Sequence, residues 1–198
     1  VDANRLRAHT LGVQSAQNDP GANDGDLVLF MHGWDPIVKG VDIAVEALRI
    51  LRSAGKRATL LVSGNDSVRQ EIEHMVENLP ADWVRVVPQI EDVGRYYASA
   101  SVFVSASRSE GFSYSILEAL SMGVPVAASR IAGTDWASTI PSTVVFDAES
   151  PADMARAVMK VVAWNPCERK KRCDAGAAVV NDLFGLDRWA NKIISVYT

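Results

Sequence analysis

The feature that most restricts this chain is a repeated alternation. Short apolar runs, such as LVLF at 27–30, ATLLV at 58–62 and VFV at 102–104, are separated by stretches whose apolar residues recur at helical spacing. A strand with one wet face alternates apolar and polar residues, whereas a nearly continuous apolar strand is buried on both faces. Such strands, interleaved with helices long enough for crossovers, lead to a parallel sheet covered on both sides. Strands are predicted at 26–32, 58–63, 83–87, 102–106 and 124–128, with a short last strand at 144–146. Helices are predicted at 41–53, 68–79, 93–100, 114–122 and 151–163, with two more around 167–180 and 187–196. The expected fold is α/β, a three-layer doubly wound parallel sheet over 26–198, preceded by a linker segment over 1–25. The linker is read from QSAQNDPGANDGD, which is polar and rich in Gly, Asn and Asp. Ligands of such sheets bind beyond the C-terminal strand ends, near helix N-termini.

Composition narrows the function classes. Of 198 residues, 48% are hydrophobic, enough for a sizeable core. A net charge of -4 and a pI near 5.4 argue against nonspecific nucleic-acid binding. No apolar run approaches the roughly 20 residues of a membrane-spanning helix, and no basic-then-apolar leader opens the chain. Cys167 and Cys173 flank a charged run without zinc-ligand spacing. They read as ordinary thiols of a reducing compartment, which implies a cytoplasmic location. The start at Val1 fits a trimmed or excised segment, and equally the removal of a methionine.

Three strand-to-helix turns have residues suited to chemistry. In the first, HGWDPIVKG, Gly33 allows close backbone approach and Lys39 stands just before a helix start. That lysine is either a solvated surface residue or the partner of a phosphate held at the helix N-terminus. The second, VPQIED, offers main-chain groups for a flat base, or is a plain capped loop. The third, SRSEGFSYSILEAL at 107–120, contains Ser115-Ile116-Leu117-Glu118, which matches a capping box. Gly111 permits positive φ or close approach, and Ser113 to Ser115 lie where free helix N–H groups point outward. Glu110 lies too far ahead of Ser115 to take part in the cap. A carboxylate beside a phosphate site is favourable only if it accepts hydrogen bonds, as from sugar hydroxyls. Cation, helix N-terminus and acid together suggest a sugar joined to a phosphate.

The residues Ala106-Ser107-Arg108-Ser109-Glu110-Gly111-Phe112, Glu118 and Ser121-Met122-Gly123-Val124-Pro125-Val126 resemble the signature of retaining GT-B glycosyltransferases of the large GT4 type. Gly33…Lys39-Gly40-Val41-Asp42, Tyr96-Tyr97-Ala98-Ser99-Ala100 and Arg188-Trp189…Val196-Tyr197 are similar to further segments of that family. The resemblance covers about 27–197 and implies the Rossmann-like C-terminal half of a GT-B fold. It implies a hexosyltransferase-type donor-binding domain for a UDP- or GDP-sugar. Glu110 would accept bonds from the sugar hydroxyls. Gly111, Phe112, Ser113, Tyr114 and Ser115 would offer main-chain N–H groups to sugar and phosphate. Glu118 would bind the ribose, Lys39 the diphosphate, and Gln89 and Ile90 would frame the base. Glu110 and Lys39 would be catalytic, Lys39 by stabilising the leaving diphosphate. With no D-x-D motif, no essential metal or other cofactor is expected.

The departures are specific. Trp34 replaces the family's phosphate-binding arginine, and an indole cannot replace a bidentate cation. Arg108 or Arg130 is the candidate substitute. Ser113 stands where Gly or Pro is usual. The family's acid in the loop after strand five is displaced, giving Ala132-Gly133-Thr134-Asp135-Trp136. Trp136 packs against substrate, or is a core or surface tryptophan. The resemblance implies a partner, the N-terminal acceptor-binding domain, and Val1-Asp2 is similar to the end of the linker that joins the two. The expectation is a fragment that binds nucleotide sugar weakly and transfers none alone. A non-catalytic binding or interaction module that kept the fold is the alternative. A receiver domain is excluded, since no acidic cluster ends the first strand.

Overall fold

The computed structural model describes residues 26–88 and 93–185. Six strands form one sheet: β1 (Leu27–His32), β2 (Ala58–Gly64), β3 (Val84–Pro88), β4 (Val102–Ser105), β5 (Val126–Ser129) and β6 (Thr143–Phe146). Their order is β3-β2-β1-β4-β5-β6, and every pair is parallel. Six α-helices are described: α1 (Val41–Ser53), α2 (Asp66–Val76), α3 (Gly94–Ser99), α4 (Tyr114–Ser121), α5 (Pro151–Val162) and α6 (Pro166–Phe184). This is the doubly wound sheet expected from the continuous apolar runs.

Strand periodicity sorts the core into two layers. Leu29 and Met31 of β1 face the layer built from α1, α2 and α5, where Leu48, Ile72, Met154 and Val158 are buried. Val28 and Phe30 point the other way, into the layer of α3, α4 and α6 with Tyr96, Tyr97, Ile116 and Val180. Burial of each large apolar side chain contributes roughly 1.5–3 kcal/mol. Both faces being apolar explains why the strands read as unbroken hydrophobic runs.

Local chemistry sets the element ends. Asn65 accepts from the N–H groups of Ser67 and Val68, so α2 starts two residues ahead of its predicted start at 68. Ser150 caps α5 and Asn165 caps α6, each followed by proline at the first helical position. The β5 strand starts at Val126 rather than 124, because Gly123, at φ 74, and Val124 still close the end of α4. A 3-10 helix at Asp135–Thr139 was not expected. The predicted linker over 1–25, the turn residues 89–92 and the predicted helix at 187–196 lie outside the described residues. No described helix is long and apolar enough to cross a membrane, and both cysteines are free thiols.

Gly40 joins the first turn to α1 with φ 69. A Cβ there would lie 2.2 Å from the carbonyl oxygen of Ala106, at the end of β4. The position therefore needs glycine twice, for its left-handed backbone and for the close approach of two turns. Gly40→Ala is expected to lower stability by at least about 1 kcal/mol, read as a lower urea midpoint with an unchanged slope.

Candidate functional site

The β1 and β4 strands are neighbours, yet the chain leaves their ends in opposite directions. A crevice must open there, beyond His32 and Ser105. The turn after β1 forms one wall and the turn after β4 the other. The N–H of Arg108 donates to the Val38 carbonyl at 2.8 Å and ties the two walls together. A third turn supports them from behind. A Cβ on Gly133 would lie 2.1 Å from the carbonyl oxygen of Glu110, so the turn after β5 presses directly on that residue.

Lys39 and Glu110 meet inside the crevice. Nζ of Lys39 donates to Oε1 of Glu110, and Ser107 Oγ donates to the same oxygen at 3.0 Å. Their side chains are only 9% and 11% exposed, so the pair is nearly dry. The Trp34 ring covers the ammonium, its centre 4.5 Å from Nζ. Trp34 itself is 53% exposed and stands at the mouth. His32, Lys39, Ser107, Glu110 and Ser115 line one small cavity of about 10 Å³, room for about one water. A buried ion pair is a weak source of stability, because desolvation offsets its attraction. It keeps two ionic groups in a crevice that water barely enters.

Two helix N-termini lie here, but at α1 the Val41 N–H donates to the Pro36 carbonyl at 2.8 Å and the Asp42 carboxylate accepts from the main chain of Asp42 and Ile43. The α1 helix begins after Gly40 and α4 after Ser113, and neither has a side-chain cap. By contrast, α2, α5 and α6 are each capped by Asn or Ser. Ser113 Oγ instead faces Ser115 Oγ at 3.2 Å. First-turn N–H groups of a helix have no intrahelical acceptor, so those of α4 are left as donors beside the ion pair. A Cβ on Gly111 would meet nothing within 4 Å, which leaves space over this turn.

The expected capping box is not formed. Ser115 lies inside α4, and Ser113 is the cap position. Glu118 does not reach back to a main-chain N–H, because Tyr97 holds it: Tyr97 Oη donates to Oε2 of Glu118 at 2.9 Å. Behind Tyr97 stands His32, with Nε2 2.9 Å from Tyr97 Oη and Nδ1 2.5 Å from Ser63 Oγ. An ionised carboxylate only accepts, so the tyrosine proton points to Glu118. His32 Nε2–H must then donate to the tyrosine, and Ser63 O–H to Nδ1. Burial, with Lys39 nearby, lowers the His32 pKa to about 4. Burial raises the Glu118 pKa, while the Tyr97 hydrogen bond opposes that rise. Burial, reinforced by the Glu118 charge, holds the Tyr97 hydroxyl well above its usual value.

Other predicted site residues are placed differently. The main chain of Gly33 donates to Ser63 at 2.8 Å, and its Cβ direction meets Val62 and Ile72, so its small size serves core packing. Arg108 is drawn out of the crevice. Its guanidinium makes two bonds to Asp42, at 2.9 and 2.7 Å, and lies 3.5 Å from Glu149. That pairing lowers the Asp42 pKa. Arg130 stands 3.9 Å from Asp147. Phe112 stacks on Trp136 with centroids 5.1 Å apart, and Phe184 closes the cluster. Trp136 is thus packed against the turn rather than left open. Tyr114 is exposed beside it. Gln89 and Ile90 lie outside the described residues. The sequence reading did not single out His32, Ser63 or Ser107 as site residues. Polar side chains ending two apolar strands, His32 and Ser63 in register with each other, were the available signal.

Comparison with known proteins bears on this arrangement. A sequence model of the family described as glycosyl transferases group 1 matches residues 25–163. The chain belongs to this family. A GDP-mannose-dependent alpha-(1-6)-phosphatidylinositol dimannoside mannosyltransferase of Mycobacterium tuberculosis is 29% identical over 147 residues, covering 74% of this chain and 38% of the relative. A sulfoquinovosyl transferase of Arabidopsis thaliana is 26% identical over 174 residues, covering 80% of this chain and 33% of the relative. The chain thus spans well under half the length of these relatives. Among solved structures, a glycosyltransferase from Rickettsia africae matches with TM-score 0.79 at 18% identity, over 100% of this chain and 52% of the other. Anabaena HepE in complex with UDP and glucose matches with TM-score 0.76 at 16% identity, over 99% of this chain and 51% of the other. At that identity the likeness shows the fold, a GT-B-type half.

The neutral His32 makes stability depend on pH. Its folded pKa of about 4 lies below the usual histidine value of 6.5, so the unfolded chain takes up the proton first. Its contribution is complete above pH 6.5 and is lost as pH falls toward 4. Glu118, with its raised pKa, acts with the opposite sign, so a direct comparison is needed. Relative to His32→Asn, the wild type should lose up to about 3 kcal/mol over that range, read by denaturant titration at a series of pH values.

Proposed function

We propose that this chain is the donor-binding half of a retaining glycosyltransferase, taking a nucleoside-diphosphate sugar, UDP- or GDP-linked, for transfer to an acceptor. The observation that carries the reading is the uncapped N-terminus of α4 beside Lys39 and Glu110 at the strand-order reversal. Main-chain donors and an ammonium suit a diphosphate. A carboxylate beside them suits sugar hydroxyls. In the crevice the two ionic groups satisfy each other. A nucleotide sugar brings an anion for Lys39 and hydroxyl donors for Glu110, so each ionic group gains a partner of its own.

The roles follow from position. Lys39 and the N-terminus of α4 stabilise the charge that develops on the departing diphosphate, with no metal required. Gly111, Phe112, Ser113, Tyr114 and Ser115 present the main chain of the turn to sugar and phosphate. Glu118 accepts from the ribose through the oxygen that Tyr97 leaves unused. Trp34 meets the ligand as an apolar wall at the mouth, and Gly33 and Arg108 act by shaping the turns. Gln89 and Ile90 are assigned to the base by family resemblance alone. The acceptor site and further catalytic groups belong to an N-terminal domain, a proposal supported by matches to only about half of each solved relative. Alone, the chain binds donor and transfers nothing.

The replacement of the family arginine by Trp34 favours a second reading, a non-catalytic module that kept the fold. Calorimetry with UDP, GDP and ADP separates the two. The first reading expects weak binding of one diphosphate, lost at least roughly tenfold in Lys39→Ala, since hydrogen bonds to charged groups contribute about 1.5–3 kcal/mol. Glu110→Gln should keep nucleotide affinity yet abolish the preference for nucleotide sugar over nucleotide. Silence from all three nucleotides, with the protein folded, selects the second reading. Sugar transfer by the pure chain would show that the half-enzyme proposal is wrong.

A further inference from the structure

We propose that His32 and Tyr97 form a buried positioning relay that fixes Glu118 as an ionised, one-sided acceptor, so that the crevice selects ligands carrying free ribose hydroxyls. The proposal rests on the donor-site reading above and adds residues and a mechanism to it. Four side chains from four elements stand in one line: Ser63 on β2, His32 on β1, Tyr97 on α3 and Glu118 on α4. The Ser115 carbonyl oxygen lies 3.2 Å from the same hydroxyl and takes the longer branch of its one proton, so Tyr97 also borders the first turn of α4. The ring of Tyr97 is fully buried against Phe30 and Phe103, with centroids at 5.0 and 5.4 Å. Neither the tyrosine nor the histidine is free to turn away.

The relay has one direction. Ser63 donates to His32, His32 to Tyr97, and Tyr97 to Glu118, because the carboxylate at the end has no proton to give. Each donor in such a chain polarises the next, which strengthens the last bond. That bond occupies one lone pair of Oε2 and turns Oε1, which accepts no hydrogen bond among those described, into the better acceptor for a ligand. Two ribose hydroxyls give two donors to that acceptor, and a dideoxy sugar gives none. The charged groups around the relay act consistently. Lys39 borders the same cavity as His32 and disfavours a second cation there, which keeps His32 neutral. Glu110 lies beyond Lys39 and is neutralised by it. A protonated His32 would donate at both nitrogens, and Ser63 could then no longer donate to Nδ1.

The test uses Tyr97→Phe, which keeps the ring packing and removes the hydroxyl, and His32→Gln, which keeps a side-chain donor. The probes are GDP and UDP, each beside its 2′,3′-dideoxy counterpart, with titration of the Glu118 carboxyl by ¹³C NMR. Tyr97→Phe should raise the Glu118 midpoint, because burial is then unopposed. It should weaken the binding of the preferred ribonucleotide roughly tenfold, the scale of one hydrogen bond to a charged group, and leave the dideoxy compound unchanged. His32→Gln should show a smaller loss of the same pattern. An equal loss for ribo and dideoxy ligands would mean that the variant merely disturbs α4, and the relay is refuted. So is it if the Glu118 midpoint does not move. If wild-type protein binds no nucleoside diphosphate, the ligand-selecting role falls together with the donor-site reading. The carboxyl titration, which needs no ligand, tells that failure apart from a relay that does not exist.

Discussion

A nearly dry ion pair between Lys39 and Glu110 holds two turns together across the crevice between β1 and β4. The turns come from different strands, and what allows them to meet is close backbone packing. Gly40 lies against Ala106, and Gly133 against Glu110. A side chain at Gly40 would force the walls apart, and one at Gly133 would push the supporting turn off Glu110. The pair adds little net stability, since each ion has lost water. Its effect is to place a cation, an anion and the open N-terminus of α4 in one small volume. Ser107 and Trp34 hold the pair from either side, one by a hydrogen bond and one by its ring face.

A second polar line runs beneath the first. From Ser63 through His32 and Tyr97 to Glu118, every donor finds an acceptor, although the surroundings are largely apolar. An unpaired polar group at such depth is costly, so a line of this kind is stable only when complete. The two lines adjoin at the small cavity that both Lys39 and His32 border. The positive field of Lys39 and burial together keep the imidazole uncharged. Ionic pair and neutral relay are therefore one electrostatic unit, and a ligand that neutralises Lys39 acts on both.

Much of the fold was legible because burial on both faces leaves a plain mark in sequence. The strands, the doubly wound order of elements and the proline-led α5 needed no tertiary knowledge. The site was legible in part. Glu110 resisted explanation as a cap, and it does stand at the crevice beside Lys39. Ser115 and Glu118 were misread together. Their spacing suits a capping box, but a buried tyrosine from another helix offers Glu118 a better donor than its own main chain. Gly33 was read as room for a ligand, whereas its Cβ direction meets Val62 and Ile72. Arg108 was a candidate for the crevice, but Asp42, on the adjoining helix, binds it on the outer side.

The sequence by itself determined which segments became strands and which became helices, because periodicity and capping act over a few residues. It also determined that a polar, glycine-bearing turn would precede α4. Only the tertiary structure decided which charges meet. Lys39 and Glu110 are 71 positions apart, and His32 and Tyr97 are 65 apart. Nothing in local spacing connects residues so distant. They come together because parallel pairing places β1 beside β4, and the ends of adjacent parallel strands share one crevice.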